Sequence, residues 1–255
     1  MPPSMGLLLN GETLEDLQRN DLQIIQRRDV YRFTTDAVLL AHFAHLAPGT
    51  NVIDLGSGNG ILPLLLTALF PGAKFVGVEI QQVLADMARR SVRLNELEDS
   101  IKIIEGDLTR ISDYIKPNTF DTVITNPPYF PESSGLISAN PSIAAAKQEL
   151  MCSLEDIMIA SNTALKGRGS LFMVHRPERL MDICHFSRKY DLEPKKMRFV
   201  FPKIGQGARV VLMEFVKNSS PGLVVLPPLI LFGDDGKYTQ EAREIYYPEG
   251  DQCEG

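Results

Sequence analysis

Seven residues, Asp54-Leu-Gly56-Ser-Gly58-Asn-Gly60, constrain this chain more than any others. They end a short apolar run, Asn51 to Leu55, and open into a second apolar run that reaches Phe70 before Pro71-Gly72 stops it. Glycine at alternate positions lets a backbone turn sharply and lets another molecule approach it closely. A buried strand that passes through such a turn into a helix is the opening of a βαβ unit. The residues that follow repeat the theme.

Lys74 to Ile80 reads as a second strand and Gln81 to Asn95 as a helix. Ile101 to Ile104 is a third strand, and Asp121 to Thr125 a fourth, ending at Asn126-Pro127-Pro128-Tyr129. A helix over Ser153 to Leu165 leads through Gly167 and Gly169 to the strand Leu171 to His175, and Pro177 to Tyr190 is a further helix. Met197 to Phe201 and Arg209 to Val216 close the pattern as an antiparallel hairpin. Strands alternating with helices predict an α/β fold with a mostly parallel sheet covered on both faces. Before this region, Thr13-Leu-Glu-Asp16 has the form of a capping box opening a short helix. Leu22 to Gln26 and Val30 to Phe33 read as a small hairpin, and Thr34-Thr35-Asp36 offers caps for an apolar helix, Ala37 to Leu46. The expected organisation is an N-terminal extension with a hairpin (1–33), one α/β domain (34–217) and a C-terminal tail with few regular signals (218–255). The segment 131–146, rich in Ser, Pro, Gly and Ala, is long enough to be a lid.

Hydrophobic residues make up 44% of the 255 and charged residues 23%, enough for one sizeable core. No run approaches the roughly 18 apolar residues that span a membrane, and no secretory leader is apparent, so a cytoplasmic protein is expected. Cys152, Cys184 and Cys253 are scattered, and His42, His45, His175 and His185 show no ligand spacing; neither a metal site nor a disulfide framework is expected. Met151, Met158, Met173 and Met181 read as core residues. The net charge of -6 is uneven: 12 Lys/Arg face 5 Asp/Glu between Lys166 and Lys217. A basic segment on an acidic body suits either a localised phosphate-binding face or solvated amphipathic elements. Lys195, Lys196, Arg198, Lys203 and Arg209 are the candidate phosphate contacts.

Three carboxylates fall at the predicted carboxyl ends of three successive strands. Glu79 lies 19 residues after Gly60 and can accept from both hydroxyls of a ribose. Asp107, followed by Leu108, can accept from an adenine amino group. Asp54 precedes the glycines, where it would repel a pyrophosphate but serve the ammonium of a methionine moiety. The set describes a site for an adenine nucleoside with a cationic tail, and Gly56, Gly58 and Gly60 allow its close approach. Asn126-Pro127-Pro128-Tyr129 supplies a second chemistry. An amino group on a purine is a weak nucleophile because its lone pair is delocalised into the ring. The Asn126 side-chain oxygen and the Pro127 carbonyl, stiffened by two prolines, can accept its N–H protons and draw it toward a tetrahedral geometry. Tyr129 can stack on the base.

These two motifs resemble motifs I and IV of class I S-adenosylmethionine-dependent amino-methyltransferases, with similarity running from about Thr35 to Val216. Thr34-Thr35-Asp36-Ala-Val-Leu-Leu-Ala41 is similar to the segment preceding the cofactor site in bacterial tRNA1(Val) adenine-37 N6-methyltransferases. Pro202-Lys-Ile-Gly-Gln-Gly-Ala-Arg209 and the closing Pro227-Pro228 to Tyr246-Tyr247 resemble the same subgroup more loosely. The resemblance implies a seven-stranded sheet of order 3-2-1-4-5-7-6 and S-adenosylmethionine as methyl donor, held by Asp36, Asp54, Gly56, Glu79 and Asp107. It also implies an adenine of RNA, with tRNA foremost, held by Asn126 to Tyr129. A protein-glutamine N5-methyltransferase shares Asn-Pro-Pro-Tyr but carries a helical domain before motif I, and only 53 residues precede Asp54 here. An rRNA guanine-N2 enzyme has a similar motif IV. A DNA adenine enzyme needs a target-recognition domain for which there is little room, and a non-catalytic RNA-binding module has no use for an intact Asn126 to Tyr129.

Overall fold

The structure is a computed structural model that describes residues 7–27, 35–127 and 152–248. From Asn51 the chain alternates strand and helix as its pattern predicts. β3 (Asn51–Leu55), α2 (Ile61–Leu69), β4 (Lys74–Glu79), α3 (Gln82–Leu94), β5 (Ile101–Glu105) and β6 (Phe120–Thr125) follow α1 (Thr35–Phe43). After them come α4 (Leu154–Ala164), β7 (Leu165–His175), α5 (Leu180–Lys189), β8 (Leu192–Phe201) and β9 (Val210–Lys217). α2 is apolar on every side of its first turns, with Ile61 to Leu66 all buried; Pro63 is tolerated because a first-turn N–H has no intrahelical acceptor. Ser153 and Asp156 form a reciprocal capping box that starts α4.

The strands stand in the order β5-β4-β3-β6-β7-β9-β8, which is 3-2-1-4-5-7-6 counted from β3. β3 to β7 run parallel, and β9 lies antiparallel between β7 and β8. Alternate strand residues face opposite layers. Val52, Ile124, Phe172 and Val174 pack with the α1, α2 and α3 side. Ile53, Leu55, Val123, Leu171 and Met173 pack with α4 and α5. Each fully buried aliphatic side chain contributes about 1.5–3 kcal/mol against exposure.

Several local expectations are corrected. Thr13 to Asp16 is strand, not a capped helix: β1 (Glu12–Asp16) pairs antiparallel with β2 (Gln23–Arg27). The cause is distant in sequence. The Glu12 carboxylate, its side chain 1% exposed, is gripped through both oxygens by Arg90 of α3 at 2.5 and 2.7 Å. Ser91 accepts the Ile25 N–H and Asn95 exchanges two hydrogen bonds with Gln23, so the hairpin is riveted along α3. Its partner strand therefore precedes Leu22; Val30 to Phe33, like Thr34, Pro128, Tyr129 and the candidate lid 131–146, lies outside the described residues.

The tail is also more ordered than its composition suggests. β10 (Val224–Val225) and β11 (Leu229–Ile230) pair parallel with β8, bringing the sheet to nine strands, and α6 (Gln240–Tyr246) folds back toward α1. Unpaired edge N–H and C=O groups of β8 supply the pairing energy that the short segments lack on their own. Tyr238 stacks on Phe232 and lies 5.3 and 5.9 Å from the rings of Tyr246 and Tyr247. Arg19 links both ends of the chain to α1, reaching His42 Nε2 at 2.8 Å and the Ile245 carbonyl. Met158 and Met173 are core as expected, but Met181 is 79% exposed on the outer side of α5; Met151 is not among the described residues. No helix among the described residues is long and apolar enough to cross a membrane, and no group of three or more potential metal ligands occurs among them.

Candidate active site

The glycine turn is built to leave β3 and cross the end of β4. Gly56 and Ser57 both donate their N–H to the Val78 carbonyl at 3.0 Å, which folds the chain over the neighbouring strand. Gly56, Gly58 and Gly60 all adopt positive φ (76°, 57° and 86°), a region that costs other L-residues about 1 kcal/mol or more. A Cβ on Gly56 would meet nothing within 4 Å, so conformation and open space, not crowding, select glycine there. Gly77 of β4 is selected by crowding. A Cβ on it would fall 2.5 Å from Ser57 Oγ and 2.9 Å from Ile103 Cδ1.

The carboxylates gather at the same edge. Asp54 is 1% exposed, and neither of its oxygens has a hydrogen-bond partner of normal geometry. Burial pushes its carboxyl up to about 7; nearby Ser57 opposes the rise and the Glu79 charge adds to it. The buried oxygens of Ser57 and Asn59 likewise lack partners. Buried polar oxygens that the fold leaves unsatisfied are costly, and a site that must bind a cation is where such a cost is retained. Glu79 accepts the Gly58 N–H and the Gln81 N–H at 2.8 Å each, one on each oxygen. Burial lifts its carboxyl above the usual range against those two bonds. Each oxygen keeps a further lone pair for a hydroxyl. Asp107 caps the short 3-10 turn Leu108–Asp113 by accepting the Thr109 N–H, and Leu108 beside it is half-buried. The donor set therefore suits an adenosine whose tail carries an ammonium group, with Asp54 as the counter-charge.

Asn126 and Pro127 follow β6 directly. The Thr125 hydroxyl donates to the Leu55 carbonyl at 2.8 Å, in a fully buried bond, and so ties the end of β6 to the strand end from which the glycine turn departs. With the parallel pairing of β3 and β6, that bond sets the separation between the two strand ends. Asp36 is buried in the first turn of α1, with Arg209 Nη2 4.0 Å from its Oδ1.

The five basic candidates divide. Lys195 Nζ donates to the Ser220 carbonyl, Lys196 pairs with Glu214 at 2.9 Å, and Arg198 donates to the Pro227 carbonyl and pairs with Glu241 at 2.6 Å. All three are committed to internal bonds along β8. Lys203 and Arg209 instead lie in the connection from β8 to β9. Sequence reasoning passed over Gly77, and it passed over Ile80 and Val83, which are 43% and 47% exposed immediately after Glu79. Two exposed aliphatic side chains beside a carboxylate were the available signal. His175 ends β7 next to β6, is 6% exposed and accepts the Arg176 N–H on Nδ1, a structural histidine. Burial pushes it down to about 4, so its imidazole is neutral at pH 7.

Known proteins are similar to this chain in sequence and fold. The model of the methyltransferase small domain matches residues 34–135. A tRNA1(Val) (adenine(37)-N6)-methyltransferase of Porphyromonas gingivalis is 28% identical over 172 residues, which span 65% of this chain and 67% of that protein. A protein of the same description from Haemophilus influenzae is 25% identical over 223 residues, spanning 87% of this chain and 92% of its own. Among solved structures, one from Agrobacterium tumefaciens described as a predicted O-methyltransferase superposes with a TM-score of 0.68 at 24% identity. It covers 83% of this chain and 95% of its own. Pyrococcus horikoshii TYW2 in complex with MeSAdo gives 0.56 at 17% identity, covering 83% of this chain and 73% of that one. With the 3-2-1-4-5-7-6 sheet and the superposition on solved methyltransferases, this chain has the fold of the class I S-adenosylmethionine-dependent methyltransferases, and its residues 34–135 match the methyltransferase small domain.

Proposed function

We propose that this protein transfers a methyl group to the exocyclic N6 of an adenine in tRNA, with an anticodon-loop adenine as target, and that it works in the cytoplasm. The observation that supports the reading is the Thr125–Leu55 bond, which ties the end of β6, just before Asn126 and Pro127, to the strand end from which the glycine turn departs. The names of the relatives supply the base and the RNA class. S-adenosylmethionine, when bound, supplies an electrophilic methyl group. Asp54 answers its ammonium, Glu79 its ribose hydroxyls and Asp107 its adenine amino group, while Ile80 offers an apolar face to the ring. Gly56, Gly58 and Gly60 let the backbone approach, and Leu108 and Asp36 border the site.

The Asn126 side-chain oxygen and the Pro127 carbonyl accept the two N–H protons of the target amine. Their pull localises the lone pair on nitrogen along the line of attack. The role proposed for Pro128 is to limit the freedom of the backbone beside Pro127, and that for Tyr129 is to stack on a base removed from its own stack. Proximity in a fixed geometry then carries much of the acceleration. Once the methyl is attached, the nitrogen is strongly acidic and gives its proton to water, so no basic side chain is required.

The test uses purified protein, labelled S-adenosylmethionine, and separately bulk tRNA, bulk rRNA and a release-factor protein. Label in tRNA that digests to N6-methyladenosine is expected. Methylglutamine or N2-methylguanosine as the sole product would move the activity to a sister reaction.

A further inference from the structure

We propose that Arg176, Lys203 and Arg209, with Ile204 at their centre, form the rim that grips the RNA strand beside the target base. This inference rests on the reading of RNA as substrate and names the surface that holds it.

The strand directions place these residues together. β7 runs parallel to β6, and β8 runs with β7 because both are antiparallel to β9. Arg176 directly follows β7, Lys203 and Ile204 follow β8, and Arg209 precedes β9. All four therefore sit at the end of the sheet from which Asn126 emerges. They are also neighbours. The Arg209 N–H donates to the Val200 carbonyl at 2.7 Å, and Arg176 Nη1 reaches the Arg209 carbonyl at 3.4 Å.

Charge divides along this end of the sheet. The strands that form the donor side finish in Asp54, Glu79 and Asp107. On the other side of Asn126, Arg176 and Lys203 follow β7 and β8, and Arg209, 4.0 Å from Asp36, precedes β9. An RNA phosphodiester is repelled by the first half and attracted by the second, so a strand crossing the site is steered with its backbone over β7, β8 and β9. Guanidinium groups suit phosphate because their planar fork can donate two hydrogen bonds at once.

The connection from β8 to β9 is shaped to stand clear of the fold. Gly205 adopts φ +82°, which turns the backbone behind Ile204, and the Ile204 side chain is 81% exposed. An aliphatic group held out between cations costs the free protein and gains on contact with an apolar face. The sugar and base face of a nucleotide beside the flipped adenine is such a surface, since unstacked RNA bases are read through stacking and apolar contact. Of the cations farther back on β8, Lys195 and Arg198 are bonded to Ser220, Pro227 and Glu241 and hold the tail to the sheet edge, and Lys196 pairs with Glu214 of β9.

The experiment measures tRNA affinity by fluorescence anisotropy across a salt series for wild type, Lys203→Glu, Arg176→Gln and Ile204→Ser. Lys102→Glu, an exposed position on β5 at the opposite sheet edge, controls for net charge. Donor affinity by calorimetry and the RNA KM are measured for each. Lys203→Glu and Arg176→Gln should each weaken tRNA binding about threefold to tenfold at moderate salt. Each should also flatten the slope of log K against log salt by ~0.7–0.9, one phosphate contact apiece. Ile204→Ser should weaken binding with the slope kept. Donor affinity should match wild type throughout, which also shows that the variants are folded, and Lys102→Glu should leave RNA binding unchanged. Wild-type affinity and slope in Lys203→Glu and Arg176→Gln would overturn the rim, as would an equal loss in Lys102→Glu. Failure of the wild type itself to bind or methylate tRNA would overturn the RNA reading, whereas methylation by a wild type whose variants match it would overturn the rim alone.

Discussion

Asp54→Asn should stabilise the protein alone and impair it as an enzyme. The wild-type carboxyl is 1% exposed and held at about 7 against an ordinary 3.8. Each pH unit of such displacement is worth about 1.4 kcal/mol, so a charged Asp54 costs the fold ~4 kcal/mol at and above neutrality. Because the folded value is raised, the folded state holds a proton that the unfolded chain has released. This group's contribution is therefore full below pH 3.8 and is lost as pH rises from there to about 7. Asparagine removes that loss, but its amide remains unsatisfied at a cost of about 1–3 kcal/mol. The net gain is about 1–3 kcal/mol at pH 8, or ~3–10 °C in Tm for a chain of this size. At pH 4 the variant should show no such gain, since the wild-type carboxyl is protonated there. Calorimetric melting at pH 4 and pH 8, with and without S-adenosylhomocysteine, reads both effects. At one hundred times Kd the ligand should raise wild-type stability by ~2.7 kcal/mol, and the same concentration should give the variant little. Asp54→Asn melting at or below wild type at pH 8, or gaining equally from the ligand, would refute the assignment of Asp54 as the buried counter-charge.

Other perturbations separate the parts of the site. Asn126→Ala should cut kcat by about 10²–10³ through loss of one preorganised acceptor while donor affinity, measured by calorimetry, stays within twofold. Gly77→Ala places a methyl 2.5 Å from Ser57 Oγ, so the glycine turn must shift and donor Kd should rise about tenfold with the fold retained by circular dichroism. Glu12→Ala leaves Arg90 buried without its main partner and should cost about 3–5 kcal/mol in chemical denaturation. Glu241→Ala removes only a half-exposed partner of Arg198 and should change stability by less than about 1 kcal/mol.

The middle of the chain was legible because its signals are local. Every strand from β3 to β6 and every helix from α1 to α5 follows from an apolar run bounded by glycine, proline or a cap, and the boundaries move by a few residues at most. The carboxylates were legible for the same reason, each lying at or near a strand end: Asp54 within β3, Glu79 as the last residue of β4, and Asp107 two residues after β5. What was hidden depends on partners far away in sequence. Thr13 to Asp16 satisfies a capping pattern, yet Arg90, 78 residues on from Glu12, holds that residue and the segment it opens in a strand. β10 and β11 are two residues each and have no periodicity to read; the open edge of β8 creates them. Gly77 looks like any strand glycine until Ser57 is folded over it. Arg176 falls between a strand that ends at His175 and a helix that starts at Pro177, and only the parallel run of β6, β7 and β8 sets it at the same sheet end as Lys203. Lys195, Lys196 and Arg198 could not be told from phosphate contacts until their acceptors in the tail and in β9 were placed.

The most direct measurement takes tRNA from a strain lacking this protein, incubates it with the purified wild type and labelled S-adenosylmethionine, and identifies the labelled nucleoside by mass spectrometry. N6-methyladenosine at one position, absent with Asn126→Ala, is the predicted result. Label on a different atom or molecule, or undiminished transfer by Asn126→Ala, would contradict the account.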